Sequence, residues 1–467
     1  MFKNNKFIKI IICILVLSVT LFSGTIIGYL VHKNNVNDAF IKLDNVKEIL
    51  KDEWYFSDQF IDIDKELIDN AIYGMASNTI DIHTSYMNQE EVKNFTEGTN
   101  HHFVGIGIQY SAVDTNKIVT NVFENSPAKK AGMKAGDFIQ KVDGIDVTTF
   151  DAEQIKELIL GEVNSKVVID IKRDNQIIQL EIYRGEIGSV FGEIVDNVGY
   201  IQILSFGDDT AYQLEQLLNG FIEKDIDSYI IDLRDNGGGY LNSLIDICGL
   251  FIPKGNVAMH QVFSDDSIKT FKTDREPIDE INEVVILINQ NSASASEVFT
   301  LAMRENFTNT TVVGVESYGK GTVQQTRTFS DGSALKFTTG RWQSSQGEVL
   351  IEKGIIPDVI VDSKNIVNDP IYDFLDKKYL YKDVEYFMIG VQDTLKFLGY
   401  EINDQKGHFS DDTLKALNTF QETYKLEKTD YVDKNIYLNI KAKMLNVYAN
   451  DHYKDDYFIK AMEIINE

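Results

Sequence analysis

Strands and helices alternate along residues 197–362, and this alternation limits the fold more than any other feature of the sequence. Apolar runs typical of buried strands occur at residues 199–204, 228–233 and 284–288, and an amphipathic helical pattern follows the first of them. A succession of this kind is typical of a sheet with helices packed on it. The sequence therefore predicts an α/β core, which we place at residues 192–362.

A β-rich block precedes this core at residues 101–184. Residues 126–137 read S-P-A-x-x-A-G-M-x-x-G-D, which predicts a short capped helix stopped by a glycine. The order of predicted elements, together with this motif, resembles a PDZ domain. PDZ domains bind an extended peptide as an additional strand on an open sheet edge. A block that only packs on its neighbour is the alternative.

The resemblance to PDZ domains implies a peptide-binding groove. The backbone N–H groups of Gly105, Ile106 and Gly107 would receive the terminal carboxylate of a peptide. The side-chain pocket would have helix residues as its floor, namely Ile155 together with Leu158 or Ile159.

The N-terminal run at residues 10–31 has no charged residue and is long enough to cross a bilayer as a helix. Three lysines precede it, so the positive-inside rule places residues 1–9 in the cytoplasm and the rest of the chain outside. We expect a retained single-pass anchor in the cell membrane, with an extracytoplasmic catalytic domain. A cleaved signal peptide is the alternative.

Two helical segments are predicted outside the central blocks. Residues 38–97 carry apolar side chains at helical spacing, which indicates an arm used for packing and for forming a homodimer. Residues 383–446 form a second helical segment after a boundary near residues 368–370.

Charge and cysteine content exclude several classes of protein. The formal net charge is −27, and so acidic a surface repels polynucleotides, so we expect no nucleic-acid partner. Cys13 lies in the apolar N-terminal run and Cys248 is the only other cysteine, so the soluble part can form neither a disulfide nor a cysteine zinc cluster. The histidines form no H-E-x-x-H motif. We expect no metal and no cofactor, so any catalysis must come from side chains and backbone.

Residues 291–296, with the sequence N-S-A-S-A-S, directly follow a predicted buried strand and open a predicted helix. Small residues let the backbone approach a ligand closely, and the N–H groups of a helix start create a positive potential. A nucleophile and its oxyanion need such surroundings. Serines at a helix start are more often caps, so this segment alone does not identify a nucleophile.

Lys320 lies between two glycines in the sequence Y-G-K-G-T-V-Q. Such a lysine suits a tightly packed site, and burial favours the neutral amine that a general base requires. Gln324, four residues later, could orient that amine. For a G-K-G on its own, a solvated surface lysine is the alternative.

Glycines occupy positions 237–239, just past the end of the predicted strand at residues 228–233. The spacing matches neither G-x-x-x-x-G-K-[ST] nor G-x-G-x-x-G in a βαβ context, which argues against phosphate binding. A bare backbone loop here could instead donate N–H groups to an oxyanion.

Together these segments resemble the carboxyl-terminal processing, or tail-specific, protease family. The resemblance covers residues 40–362 and includes D-G-S-A-L-K at residues 331–336 and G-I-I-P-D at residues 354–358. It implies a serine-type peptidase with a crotonase-like core. It also implies a Ser-Lys dyad with a third member, formed in order of nucleophile, base and third residue by Ser294, Lys320 and Gln324.

The same resemblance implies oxyanion donors at the N–H of Ala295 and in the glycine loop. We assign the second donor to Gly238, because relatives carry proline, which has no N–H, at the position of Gly237. This chain departs from the family at Asn291, where glycine is usual, and in an interval between serine and lysine that is one residue longer. Neither change removes a catalytic group.

The segment at residues 383–446 resembles a peptidoglycan-binding domain of the three-helix type, through matches that include L-G-Y at residues 398–400 and F-Q at residues 420–421. An interaction or dimerisation module is the alternative. The predicted fold class is therefore multidomain α+β, with a crotonase-like α/β core, an inserted PDZ β-domain, an N-terminal helical arm and a small C-terminal helical domain.

Three functions are compatible with parts of the sequence. The first is a serine endopeptidase that recognises the free C-terminal tails of protein substrates and cleaves them through an acyl-enzyme. The second is a catalytically silent scaffold that binds peptides and cell wall, with peptidoglycan as partner. The third, an acyl-CoA enzyme, leaves the predicted anchor and the PDZ block unexplained. The presence of Ser294, Lys320 and Gln324 favours the peptidase, because a scaffold has no need of all three.

Overall fold

The computed structural model describes residues 38–100, 103–113, 116–350, 353–361 and 377–467. The helices are α1 (Asp38–Glu53), α2 (Ile63–Ala76), α3 (Gln89–Asn100), α4 (Pro127–Lys130), α5 (Ala152–Ile159), α6 (Thr210–Ile222), α7 (Leu241–Phe251), α8 (Ala295–Asn306), α9 (Phe387–Phe397), α10 (Asp411–Thr423), α11 (Lys434–Asn450) and α12 (Asp456–Ile465). The strands are β1 (Ser85–Met87), β2 (Phe103–Gly105), β3 (Ile108–Val113), β4 (Asn116–Val122), β5 (Phe138–Val142), β6 (Ile145–Asp146), β7 (Lys166–Arg173), β8 (Gln176–Tyr183), β9 (Gly185–Ile187), β10 (Val190–Val195), β11 (Val198–Ile203), β12 (Ser228–Asp232), β13 (Val257–Phe263), β14 (Ile268–Lys272), β15 (Glu283–Ile288), β16 (Thr310–Gly314), β17 (Thr322–Thr328), β18 (Ala334–Gln343), β19 (Val359–Ile360), β20 (Tyr379–Leu380) and β21 (Tyr431–Val432).

The chain divides into two compact units. The first comprises the chain up to Glu90 together with Thr326–Phe337, and the second comprises Glu91–Gln325 and Thr338–Glu467. In the first unit Asp62 caps α2 by accepting a hydrogen bond from the N–H of Lys65 at 3.1 Å, as is usual for an aspartate at a helix start. Strand β1 pairs there with the beginning of β18.

The second unit contains a six-stranded α/β sheet. Its strands run in the order β10-β11-β12-β15-β16-β19, antiparallel between the first two and parallel elsewhere. Helices α6, α7 and α8 pack on one face. The parallel strands β12 and β15 are buried on both faces, which explains why their sequences are almost continuously apolar. The predicted α/β core is confirmed.

Helix α12 covers the other face of this sheet, and the sequence analysis missed it. The predicted C-terminal domain ended at residue 446, but α11 continues to Asn450 and α12 follows. Phe458, Ala461 and Met462 of α12 are buried against the sheet. Helix α12 is thus part of the α/β core.

The PDZ-like block has its own sheet, in the order β3-β4-β5-β7-β8, with α5 packed on it. Asp151 and Gln154 form a capping box that fixes the start of α5. On another side, α11 contacts the block, because Ala442, Met444 and Leu445 share a buried cluster with side chains of the block. Helix α11 therefore links the PDZ-like block to the segment that leads into α12.

The predicted localisation needs correction. Within the residues that the structure describes, no helix has the length and apolar character needed to cross a membrane. The longest of the helices given above, α11, has 17 residues, fewer than the roughly 20 that span a bilayer. This finding contradicts the predicted single-pass membrane localisation. The run at residues 10–31, on which that prediction rested, lies outside the described residues.

Candidate active site

Ser294 lies between β15 and α8 in a backbone conformation that few residues adopt. Its φ of 58° and ψ of −115° fall outside the usual regions, which costs on the order of 1–3 kcal/mol and is typical of functional sites. The preceding turn is fixed by Ser292, whose Oγ donates to the carbonyl of Leu233 at 2.7 Å. Ser294 itself is half-buried between buried neighbours. The structure thus presents this side chain at the surface of a rigid turn.

Glu297, one turn into α8, lies with its carboxylate at the centre of the site and is 1% exposed. Its Oε2 accepts from the backbone N–H of Ser294 at 2.8 Å and from that of Lys320 at 2.9 Å. Its Oε1 accepts from the hydroxyl of Ser317 and from the N–H of Gly319, both at 2.6 Å. One buried carboxylate therefore joins the serine segment to the lysine loop.

The lysine loop is held on its other side by Trp342, which is 1% exposed. The indole Nε1 donates to the carbonyl of Lys320 at 2.7 Å. The backbone N–H of Trp342 donates to the carbonyl of Gly321 at 3.0 Å. Gly319 has a φ of 86°, and an added Cβ would lie 2.8 Å from the backbone of Lys353, so glycine is required there. Both sides of the loop hold the Lys320 backbone in place, and the Lys320 side chain is half-buried.

Gln324 follows on β17. Its Nε2 donates to Thr322 Oγ1 at 2.9 Å and to Thr338 Oγ1 at 3.2 Å. The two threonines thereby fix the amide orientation, with the carbonyl Oε1 left to accept hydrogen bonds. Glu297 joins the backbones of Ser294 and Lys320, and Gln324 follows Lys320 on the adjoining strand β17.

The glycine loop approaches Ser294 at Gly238, whose φ is 103°. A Cβ added to Gly238 would lie 2.8 Å from the Ser294 Cβ and 2.9 Å from the Ala295 nitrogen. The N–H of Gly238, however, donates to Oδ1 of Asn236 at 2.8 Å. The predicted second oxyanion donor is therefore adjacent to Ser294 but is engaged within its own loop, whereas Gly237 is exposed.

Cys248 provides no alternative nucleophile. It is fully buried in the core, and burial raises the pKa of its thiol, which disfavours the reactive thiolate.

The predicted peptide groove of the PDZ-like block is only partly as expected. In the part of the chain that the structure describes, β3 is one of the two edge strands of its sheet, so its outer side can accept an added strand. Ile155 is fully buried within the block's core and cannot floor a surface pocket, because it lies on the inner face of α5. Leu158 is half-buried beside it and fits the pocket better. Tyr110 of β3 donates from its hydroxyl to the carbonyl of Ala152 at 2.7 Å, a contact that joins β3 to the start of α5.

The predicted carboxylate-binding segment is tightly packed. The carbonyl of Ile106 accepts from the N–H of Ala128 at 2.9 Å, and that of Gly107 accepts from Phe123 at 3.2 Å. Gly107 has a φ of 77°, and a Cβ there would lie 2.5 Å from the Cβ of Ser126. Gly105 pairs with Gly185 through β2 and β9. Substitution in this segment would disturb its backbone rather than a pocket alone.

Sequence reasoning missed two residues of the site. Glu297 stands three positions after Ser294 at a helix start, a Ser-x-x-Glu spacing typical of a capping box, and this was the available signal. Asn236 fixes the glycine loop through Oδ1, and its Nδ2 donates to the carbonyl of Ile203 at 2.7 Å. No sequence pattern predicts the contact between Asn236 and Ile203.

The fold and the site define a multidomain α/β serine peptidase with a PDZ domain. The family model described as peptidase family S41 matches residues 197–361, and the PDZ domain model matches residues 118–173. The chain is 33% identical over 430 residues to the carboxy-terminal processing protease CtpA of Bacillus subtilis, covering 91% of this chain and 90% of that protein. The chain belongs to the S41 family of carboxy-terminal processing proteases.

A second relative by sequence agrees with this membership. A probable CtpA-like serine protease of Staphylococcus haemolyticus is 32% identical over 442 residues, covering 93% of this chain and 88% of that protein. Among solved structures, the photosystem II D1 C-terminal processing protease is 21% identical with a TM-score of 0.42, covering 70% of this chain and 94% of that one. The predicted family, enzyme class and PDZ domain are confirmed. The crotonase-like detail, the homodimer and the peptidoglycan-binding module at residues 383–446 stay predictions.

Proposed function

We propose that this chain is an endopeptidase that recognises protein substrates by their free C-terminal tails and cleaves them with Ser294 as nucleophile and Lys320 as general base. The observation that supports this most is the contact of one carboxylate, that of Glu297, with the backbones of both residues. A buried carboxylate that bonds to both segments is expected if the backbones of Ser294 and Lys320 must keep a fixed position relative to each other.

The chemistry needs only the groups of this chain and water. The neutral amine of Lys320 takes the proton of the Ser294 hydroxyl while Oγ forms a bond to the substrate carbonyl carbon, and the carbonyl π electrons move onto oxygen. When the tetrahedral intermediate collapses, the C–N bond breaks and the lysine ammonium gives its proton to the leaving amine. Water then attacks the acyl-enzyme by the same route, which releases the new carboxyl terminus and restores Ser294.

Oxyanion stabilisation is proposed to come from the N–H groups of Ala295 and Gly238. Ala295 opens α8, where backbone N–H groups have no partner within the helix. Gly238 becomes a donor only when its N–H leaves Oδ1 of Asn236 for the oxyanion. In the same scheme Oε1 of Gln324 accepts a hydrogen bond from the Lys320 amine and orients it.

The PDZ domain is proposed to select substrates by their tails. The open edge of β3 would pair with the tail, Leu158 would contact an apolar terminal side chain, and the segment at residues 105–107 would receive the carboxylate. The groove lies within the same compact unit as the site.

Labelling with a fluorophosphonate probe tests the assignment of Ser294. The wild-type chain should be labelled covalently, and Ser294→Ala should not be. Ser296→Ala is the matched control, because Ser296 belongs to the same motif but its Oγ donates to the carbonyl of Asn236 at 2.9 Å. Labelling of Ser294→Ala at the wild-type rate would refute the proposal.

A further inference from the structure

Arg234, at the start of the glycine loop, is a nearly buried cation between two carboxylates. Its Nη2 lies 2.6 Å from Oδ2 of Asp232 and 2.7 Å from Oδ2 of Asp455. The Arg234 side chain is 14% exposed, and those of the two aspartates are 2% and 9% exposed. The guanidinium also lies 5.0 Å from the ring centre of Tyr457. One side of this cluster belongs to the core strand β12, and the other belongs to the C-terminal segment.

Asp455 is itself fixed by further contacts. Its Oδ1 accepts from the N–H of Tyr457 at 3.0 Å and so caps α12, and its Oδ2 accepts from the hydroxyl of Tyr448 at 3.0 Å. Burial alone would raise the pKa of Asp455, but the attraction of Arg234 and the hydrogen bonds from Arg234 and Tyr448 outweigh it and keep the pKa below its usual range. Asp455 therefore stays ionised at neutral pH and pairs with Arg234.

The loop that begins at Arg234 passes directly to the proposed nucleophile. The carbonyl of Asn236 accepts from the N–H of Ala293 at 3.0 Å, and Gly238 lies against the Ser294 side chain. A displacement of Arg234 would thus be transmitted to both the serine turn and the proposed oxyanion donor.

We infer that Asp455 is a positioning residue for the peptidase site, which holds Arg234 and through it the loop that places Gly238 beside Ser294. The inference rests on the proposed function, since it takes Ser294 as the nucleophile. Asp455 lies outside the segment matched by the S41 model, at residues 197–361, so the C-terminal segment adds a second carboxylate to the one that Asp232 supplies within that segment. A misplacement of about 1 Å at an active site can lower the rate by ~100-fold. We therefore expect loss of the Asp455 charge to lower kcat by about 10- to 100-fold. KM should not change, since Asp455 touches no proposed substrate-binding residue.

The Asp455→Asn variant of the full chain isolates the ion pair, because asparagine still caps a helix but carries no charge. We would measure kcat, KM, the fluorophosphonate labelling rate and the unfolding temperature. Asp456→Asn is the matched control, since Asp456 is the next residue and is exposed. Asp433→Ala is a structural control, because Asp433 caps α11 through the N–H of Ile436 at 3.0 Å and has no contact with Arg234. Asp455→Glu restores the charge and should recover part of the lost kcat.

The expected result is a lower kcat and slower labelling for Asp455→Asn at unchanged KM, with wild-type kcat for both controls. A lower unfolding temperature with unchanged kcat would show that Asp455 is only a helix cap and would overturn the inference. If Asp455→Asn does not fold, Arg234→Lys keeps a positive charge but removes the planar guanidinium that joins Asp455 to Asp232. A kcat of Arg234→Lys equal to wild type would then overturn the inference, and a reduced kcat at unchanged KM would support it. Activity in Ser294→Ala would refute the proposed function itself, whereas an inactive Ser294→Ala beside a fully active Asp455→Asn would refute this inference alone.

Discussion

Ser294 and Lys320 share one hydrogen-bond acceptor, because Oε2 of Glu297 accepts the backbone N–H of the first at 2.8 Å and that of the second at 2.9 Å. The two residues belong to different elements, the start of α8 and the loop before β17. Since the shared acceptor is a buried carboxylate, the fold sets the relative position of the two backbones before any substrate binds. Preorganisation of this kind is what covalent catalysis requires.

Glu297→Gln should lower kcat by about 100-fold or more, because a shifted serine or lysine backbone misplaces the reacting groups. Glutamine keeps one acceptor oxygen and directs an NH2 group at donors that Glu297 now satisfies, which should destabilise the fold by about 2–4 kcal/mol. Denaturant unfolding and steady-state kinetics measure the two effects. Glu305→Gln on the same helix is the control, and a kcat within about twofold of wild type for Glu297→Gln would contradict the role.

Lys320→Arg should abolish turnover, because a guanidinium keeps its proton and cannot act as the base. In the wild-type chain, kcat/KM should rise with pH as the Lys320 amine loses its proton and should then reach a plateau. The pH profile of peptide cleavage measures this. An active Lys320→Arg variant would mean that another group, such as a histidine, is the base, and histidine-directed reagents would then stop the enzyme.

Substrates with free, apolar C-termini should be cleaved faster than the same peptides with amidated ends. A coupling of about 1 kcal/mol between tail binding and cleavage corresponds to a difference of about fivefold. Leu158→Ser should remove the difference without slowing the cleavage of very short peptides, and Glu157→Ser, at an exposed neighbour, should not. A substitution at Gly107 is a poorer test, since a side chain there would collide with Ser126. Equal rates for acid and amide forms, well below saturation, would mean that the PDZ domain does not read the carboxylate.

Asp455 should make the stability depend on pH in the acid range. Its pKa is lower in the folded chain than the value of about 3.9 expected for the unfolded chain, so its contribution is fully present above that value. The contribution is lost as the pH falls through the lowered folded pKa. The difference in unfolding free energy between wild type and Asp455→Asn should therefore be constant from pH 7 to 5 and shrink below about pH 4. A difference that grows on acidification would contradict the ion pair with Arg234.

The sequence predicts the α/β core for physical reasons. Parallel strands covered on both faces must be apolar throughout, so β12 and β15 are recognisable without a structure. Small residues at a helix start and a lysine between glycines suit a reactive site, but the resemblance to the protease family is what assigns roles to Ser294 and Lys320. Each of these patterns lies within a short stretch of residues, so it can be recognised without knowledge of the fold.

The remaining features depend on contacts between distant parts of the chain. The pairing of Arg234 with Asp455 joins a core loop to the C-terminal segment, and no periodicity connects the two. The hydrogen bond from the Gly238 N–H to Asn236 depends on the conformation of the loop. The sequence does not predict that conformation, because glycine can adopt many backbone conformations. The resemblance to PDZ domains puts Ile155 at the groove, whereas the structure buries its side chain in the core of the block.

The most direct test of the account is the cleavage of an unstructured protein such as casein by Ser294→Ala. The account predicts no turnover by this variant, with an unfolding temperature close to that of wild type, because removal of one hydroxyl from a half-buried position creates little cavity. Ser296→Ala, tested beside it, should retain turnover. Cleavage of casein by purified Ser294→Ala at a rate comparable to wild type would contradict the assignment of the nucleophile and the mechanism built on it.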